Sequence, residues 1–450
     1  MFYFFQTAKI YGIMELNDIN QELNLDDIGE TLYLLIKDLY PIGRSLTGHG
    51  NRQTLHTLKQ HIPIRMHEVK SGTEVFDWTI PKEWNVRSAY IKDSQGNIVV
   101  DLKNSHLHLV GYSLPIKKII SLEELRLHLF TLPDYPDWIP YRTSYYQETW
   151  GFCLSHNQFL AMTDETYEVY IDASLEDGSL TYGEYYIQGQ TSDEVLISCN
   201  ICHPCMADEN LSAIAVCTIL AKYLSSFPLR YSYRFLFAPA TIGPITWLAH
   251  NENKVSQIKH GLVLTFLGDS KPFSYKRTRR GDTEIDQILV HLLKESGKEH
   301  QVIDFFPYGY DERQFCSPAF NLAVGALMRA QHGTFPEYHT SADNLDFVKP
   351  SNLAESFDIC WQAIHILEKN RFYLNQFPKC EPQLGKRGIY KGLASDHNQR
   401  AKEMAMLWIL NLSDGKHSLL DISRKSRIDF DTIQSVTQLL CEFDLLKELK

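Results

Sequence analysis

The sequence predicts an α/β protein built on a mixed, largely parallel sheet flanked by helices, with a β-rich insertion and a C-terminal winged-helix unit. Three observations carry this. Beyond about residue 190, short apolar runs alternate with amphipathic helical stretches, the pattern of a largely parallel sheet. Residues 72 to 190 are instead rich in Tyr, Trp, Thr and Pro. From about residue 384 the chain closes in three helical runs.

Taken in order, DIGETLYLLIKDLYPI (27 to 42) predicts a helix packing on the main domain. Turn signals such as SQGN (94 to 97) and LEDGS (175 to 179) mark the β-rich region, with the insertion itself placed at 67 to 150. EVLISCN (194 to 200), SYRFLFAPA (232 to 240), GLVLTFLG (261 to 268), QVIDFF (301 to 306) and LAVGALMR (322 to 329) are short, apolar runs rich in Val, Ile, Leu and Phe. That composition suits strands covered on both faces. Helices are expected at 211 to 226 and 282 to 297, and at about 351 to 370, where Leu353, Phe357, Cys360, Ile364 and Leu367 share the face that covers the sheet. The main α/β domain therefore takes 14 to 66 and 151 to 383, and 384 to 450 forms the last domain. There the runs 401 to 412, 418 to 426 and 429 to 449 have the layout of a helix-turn-helix or winged-helix unit. Its would-be recognition helix, DFDTIQSVTQLL, has no Lys or Arg, so a protein partner or homo-oligomer contact is expected rather than DNA reading.

At 44% hydrophobic and 22% charged, the composition is that of a globular protein. A net charge of −11 argues against nucleic-acid binding, which needs a basic face. The start, MFYFFQTAKIYGIM, lacks a basic leader and a long apolar core, so a cytoplasmic protein is expected, with Met14 as an alternative start. No membrane association is expected, because no stretch approaches the roughly 20 apolar residues of a span. Nine cysteines, an odd number, fit reduced thiols.

The stretch CNICHPCMADEN (199 to 210) has three competing readings. C-x-x-C-H is haem-attachment spacing, and C-x-x-C-x-x-C is thiolate-metal spacing. The first conflicts with a chain lacking an export signal, and the second finds no companion C-x-x-C for a fourth ligand. The third takes His203 with Asp208 or Glu209 as half of a hydrolytic zinc centre. Other candidate ligands also follow strands: Asp269 after GLVLTFLG, Asp311 and Glu312 after QVIDFF, and His339 and Asp343 after LAVGALMR. Ligands of an open α/β sheet gather beyond the carboxyl ends of its strands.

HPCMADENLSA, APATIGP, LGDS, YGYDERQFCSP and PEYHTSADN together resemble the aminopeptidase-like proteins of the binuclear zinc exopeptidase superfamily. More narrowly, with YPIGRSLTGHG (40 to 50) and HLVGYSLP (108 to 115), the chain resembles a bacterial group that adds a β-rich insertion and a winged helix. The resemblance implies His203 and Asp269 as ligands of a first metal, Glu209 as the bridging carboxylate and His339 as a ligand of a second. It also implies aminopeptidase-like hydrolysis of a small peptide or amino-acid conjugate.

Three positions depart from that pattern. The general-base glutamate is replaced by Ala240, the adjacent acidic ligand by Thr241, and the bridging aspartate by Glu209. One zinc is therefore expected, with two as the alternative, and Asp208 or Glu312 is the candidate replacement base. Asp311 is a candidate for binding a substrate amine, with Glu312 beside it, although an ion pair with Arg313 or a nearby lysine is the competing reading. Within SYKRTRRG, Arg277 and Arg280 are candidates for a substrate carboxylate or phosphate, against a solvated loop. His106 and His108 would share one face of a strand as H-x-H, either as a second metal site or as packing residues. The expected function is a zinc-dependent aminopeptidase-like hydrolase. The alternatives are an inactive binding protein on the same fold and a single-zinc amide-processing enzyme of the glutaminyl-cyclase type.

Overall fold

The structure is a computed structural model that describes residues 24–145, 147–389 and 399–449. The apolar start and Met14 lie outside the described residues. The chain divides into two compact units, one running up to Asp286 with Ser296–Cys360, the other comprising Gln287–Glu295 and the residues from Trp361 onward. Among the described residues no helix is long and apolar enough to cross a membrane.

The first unit is organised by an eight-stranded sheet. Its strands are β1 (Arg65–Lys70), β2 (Ser179–Ile187), β3 (Glu194–Asn200), β4 (Ser232–Ala238), β5 (Ile258–Leu264), β6 (Phe273–Lys276), β7 (His300–Ile303) and β8 (Val324–Met328). They lie in the order β1-β2-β4-β3-β5-β8-β6-β7. The core β4-β3-β5-β8 is parallel, β1 and β2 add antiparallel strands at one side, and β6 runs antiparallel to β8. Every residue of β3 and β4 is buried, as expected of strands covered on both faces. Helix Ala213–Leu224 connects β3 to β4, and helix Ile242–Asn251 leads from β4 towards β5. Because β4 and β5 flank β3 on opposite sides, a topological switch point opens at the carboxyl end of β3.

The strands predicted at 194, 232, 261 and 322 form the parallel core close to their expected places, the one predicted at 301 becomes β7 and runs antiparallel to that core, and β1, β2, β6 and helix Ile242–Asn251 were not anticipated. The missed β2, SLTYGEYYI, mixes polar and apolar residues and leaves its later positions partly exposed, so no continuous apolar run marks it. A separate antiparallel sheet joins Ile98–Asp101, Glu83–Lys92, Thr166–Glu176 and Ile116–Ser121, and so reaches beyond residue 150. A small hairpin, Glu74–Val75 with Trp78–Thr79, turns through Phe76 at a positive φ of 55°. His106 and His108 sit on a short 3-10 turn, not a strand, and His108 bonds the Cys153 carbonyl at 2.8 Å. They are packing residues.

In the second unit, helices Gln399–Leu412, Leu419–Ser426 and Phe430–Glu442 accompany a three-stranded sheet of Phe372–Asn375, Asp414–Ser418 and Leu446–Glu448. Ser418 and Asp421 form a capping box, and Asp429 caps the next helix through the Thr432 N–H. This is a winged helix. Helix Phe430–Glu442 carries no basic residue.

A buried ion cluster ties the antiparallel and parallel parts of the main sheet together. Arg234 on β4 grips Glu194 of β3 through Nε and Nη2 at 2.7 and 2.8 Å, and also pairs with Glu184 of β2. Trp247 donates to Glu184 at 2.9 Å. Burial pushes the Glu184 carboxyl up, but His67, Arg234 and Trp247 together hold it at about 2. Arg234→Ala would leave buried carboxylates unanswered and should cost about 3–5 kcal/mol in urea unfolding. Since Glu184 titrates below its ordinary value of 4.5, its contribution is present above that pH and should fade as pH falls towards about 2, read as a falling urea midpoint.

Candidate metal centre

The switch point at the end of β3 is where the candidate ligands meet. After Asn200 the chain passes through His203 and enters a six-residue π-helical turn, Ala207–Ser212, that presents Glu209. His339 arrives from a distant loop with φ 55°, a left-handed conformation uncommon for a residue with a side chain. Its Nε2 lies 2.8 Å from Glu209 Oε1, and His203 Nε2 lies 3.4 Å from the same oxygen. The ligand atoms of these three residues all fall within 4.8 Å of one another. Donors about 2.0–2.2 Å from a shared zinc ion in a tetrahedral site would sit about 3.4 Å apart, so a small closure suffices. Glu209 Oε2 is buried with no hydrogen-bond partner among the described residues, a costly state for a carboxylate oxygen unless a cation answers it. The donor set fits a metal ion.

Electrostatics keep His203 and Glu209 in the protonation states a metal needs. Burial pushes the His203 imidazole down to about 4, leaving it neutral at pH 7. Burial pushes Glu209 up, but His203, His339 and the Tyr310 hydroxyl outweigh it and hold the carboxyl at about 2. Tyr310 donates to Glu209 Oε1 at 2.7 Å, and the Tyr338 hydroxyl lies 2.9 Å from His332 Nε2.

Local packing explains why the ligands stand where they do. Arg44, almost fully buried, donates from Nε to the His203 carbonyl at 2.8 Å and from Nη1 to the Leu39 carbonyl at 2.7 Å. Asp343 accepts the N–H groups of Asp208 and Glu209 at 2.6 and 3.0 Å, capping the turn. Tyr141 donates its N–H to the His339 carbonyl at 2.7 Å and sets its ring edge-on to both histidines.

Other expected site residues go elsewhere. Asp269 does not join the three ligands: its oxygens accept the N–H groups of Lys271 and Ala330 at 2.5 and 3.1 Å. Asp208 turns away from the cavity, taking the Gly268 N–H at 2.6 Å, and burial together with the charge of Asp269 raises its carboxyl well above the usual range. Glu312 is locked to Lys276 at 2.7 Å in a buried pair, so neither it nor Asp208 is free to replace the base. Asp311 is fully buried and lines no part of the cavity. Arg277 donates to the Gly281 carbonyl at 2.7 Å, and Arg280 is exposed; neither reaches the site. Thr265, not Asp269, faces the π turn from the end of β5, donating to the Glu209 carbonyl at 2.9 Å. A strand-end carboxylate looks the same in sequence whether it turns towards the site or caps a loop.

Beside the three ligands lies a cavity of about 280 Å³ whose walls include Trp78, Tyr145, Ala240, Thr241, Arg313 and His332. Sequence reasoning missed His332, Tyr310 and Tyr338, although all fall in or beside motifs that carried the resemblance.

A parallel α/β sheet with its ligands at the switch point is the aminopeptidase-like class of fold. The chain belongs to the family described as a domain of unknown function, DUF4910, whose model matches residues 33–370, and a winged helix-turn-helix model matches 371–448. It is 52% identical over 433 residues, covering 96% of this chain and all of the relative, to a Clostridium acetobutylicum protein named as a candidate polysaccharide biosynthesis protein with an aminopeptidase-like domain. A crystal structure of a candidate peptidase from Clostridium acetobutylicum superposes with a TM-score of 0.92 at 51% identity, over 97% of this chain and 100% of that one. A zinc aminopeptidase from Bacillus subtilis shares the fold at a TM-score of 0.54 and 10% identity, over 75% of this chain and 95% of that one.

Elemental analysis of the purified protein should find about one zinc per chain, from three ligands and an open position. His203→Ala and Glu209→Ala should each lose most of it, whereas Asp269→Asn, outside the three ligands, should retain it.

Proposed function

We propose that this protein is a zinc-dependent amide hydrolase of the aminopeptidase-like type, with His203, Glu209 and His339 holding a single ion. The observation that carries the reading is the convergence of two imidazoles on Glu209 while the second oxygen of that carboxylate stays buried and unpartnered. A zinc ion bound there would supply Lewis-acid chemistry at the amide carbonyl. The reaction consumes one water: its oxygen bonds to the carbonyl carbon, the C–N bond breaks, and an acid and an amine leave.

The proton of that water needs a home, and Ala240 offers none. His332 takes this role in our reading. Burial holds its imidazole below the usual histidine range, so it is unprotonated at neutral pH and free to accept. The Tyr338 hydroxyl, in the cavity wall, hands its proton to His332 Nε2 and takes one from water; the return path protonates the leaving nitrogen. The name of the Clostridium acetobutylicum relative suggests polysaccharide assembly as a setting, where the amide would sit on an amino sugar.

Ala240 and Thr241 also favour a second reading, a binding protein that has lost turnover on the same scaffold. The two readings predict different results on a broad amide panel. In the first, the zinc-loaded wild type turns over, a chelator abolishes activity, and His332→Gln lowers kcat by about 10²- to 10⁴-fold. In the second, the wild type is silent and Ala240→Glu switches hydrolysis on.

A further inference from the structure

The charged groups around the cavity are distributed in a way that an amine-binding site is not. Glu209 is the lone carboxylate in the described wall, and His203, His339 and Tyr310 already engage it. Of the acids expected to hold a substrate amine, Glu312 is neutralised by Lys276 and Asp311 is buried outside the wall. Arg313, by contrast, is in the wall. It forms no hydrogen bond or ion pair with a described carboxylate, and its Nε is buried with no partner among the described residues. The nearby Asp311 exerts only a through-space attraction, and burial raises that carboxyl well above its usual range, which weakens it as a counter-charge. A substrate ammonium here would face a guanidinium and several imidazoles.

The rest of the wall is aromatic. Trp78 and Tyr145, at 45% and 37% exposure, stand at the cavity from the hairpin and from the segment before residue 146. Their surfaces suit the flat face of a ring. A volume of about 280 Å³ holds one compact unit rather than a long chain.

Building on the hydrolase reading, we propose that the cavity takes an N-acylated, anionic substrate: its carboxylate or phosphate pairs with Arg313, a ring lies against Trp78 and Tyr145, and the acyl amide reaches Glu209 and His339. Guanidinium presents planar paired donors to either oxyanion, so the recognition chemistry is shared. The substrate is then an acylated amine whose anion lies within one residue or sugar unit of the amide, not a peptide with a free amino terminus.

Calorimetric titration of the full chain, zinc-loaded and metal-free, tests this without requiring turnover. The probes are N-acetylphenylalanine, its neutral carboxamide, phenylalaninamide, and N-acetylglucosamine 1-phosphate. At least one anionic probe should bind about tenfold or more tightly than the neutral carboxamide, with phenylalaninamide weakest, as a charge-assisted pair requires. Arg313→Ala should erase the preference and Arg313→Lys should keep part of it, with zinc content and melting temperature unchanged in both. The anion whose binding falls further in Arg313→Ala identifies carboxylate or phosphate as the natural group. Tightest binding of phenylalaninamide, failure of both anionic probes, or a preference that survives Arg313→Ala would each overturn the proposal. Anion binding through Arg313 without hydrolysis would uphold it while removing the hydrolase reading.

Discussion

One carboxylate holds the site together. Asp343 closes on two consecutive backbone N–H groups, those of Asp208 and Glu209, and its own carbonyl takes the Ala207 N–H. The start of a helix leaves such N–H groups without partners and favours negative charge there. Asp343 also lies four residues beyond His339. The bond that caps the helix carrying one ligand therefore fixes the loop carrying another. Burial pushes the Asp343 carboxyl up, a cost that the three backbone contacts offset in part.

Around that clamp the β-rich region forms part of the cavity wall. Residues 139 and 141 exchange backbone bonds with the loop at 339 to 341, and an isolated bridge joins Pro140 to Thr340. The left-handed turn at His339 is held by these contacts from outside its own loop, as a conformation of that kind must be to persist. The same region lines the cavity with Trp78 and Tyr145. The sheet positions His203 and Glu209, and the β-rich region shapes one side of the cavity beside them.

Much of this was legible in the sequence, for identifiable reasons. Strands such as SYRFLFA are buried on both faces and so become unbroken apolar runs. His203, Glu209 and His339 follow strand ends, where an open sheet collects ligands, and they do meet. Asp269 has the same placement and a different fate, because its oxygens are captured by nearby backbone N–H groups. The run from Lys276 to Arg280 resembled an anion site, yet Lys276 is spent on Glu312 and Arg279 on Asn321. Arg313 was overlooked for the opposite reason: adjacent charges in DER suggest a pair, yet among the described residues no hydrogen bond joins Asp311 to Arg313. Spacing along a chain constrains backbone periodicity well and the direction of a long side chain poorly.

Arg44 gives the N-terminal segment a part in building the candidate site that its position in the chain conceals. By binding the carbonyls of Leu39 and His203 at once, it joins the end of the first described helix to His203, which lies 159 positions beyond Arg44. The centre is thus not a portable cassette: a fragment beginning after residue 44 would retain all three ligands but lose the support beneath the first. Its assembly is therefore tied to closure of a long chain segment, which carries an entropic cost.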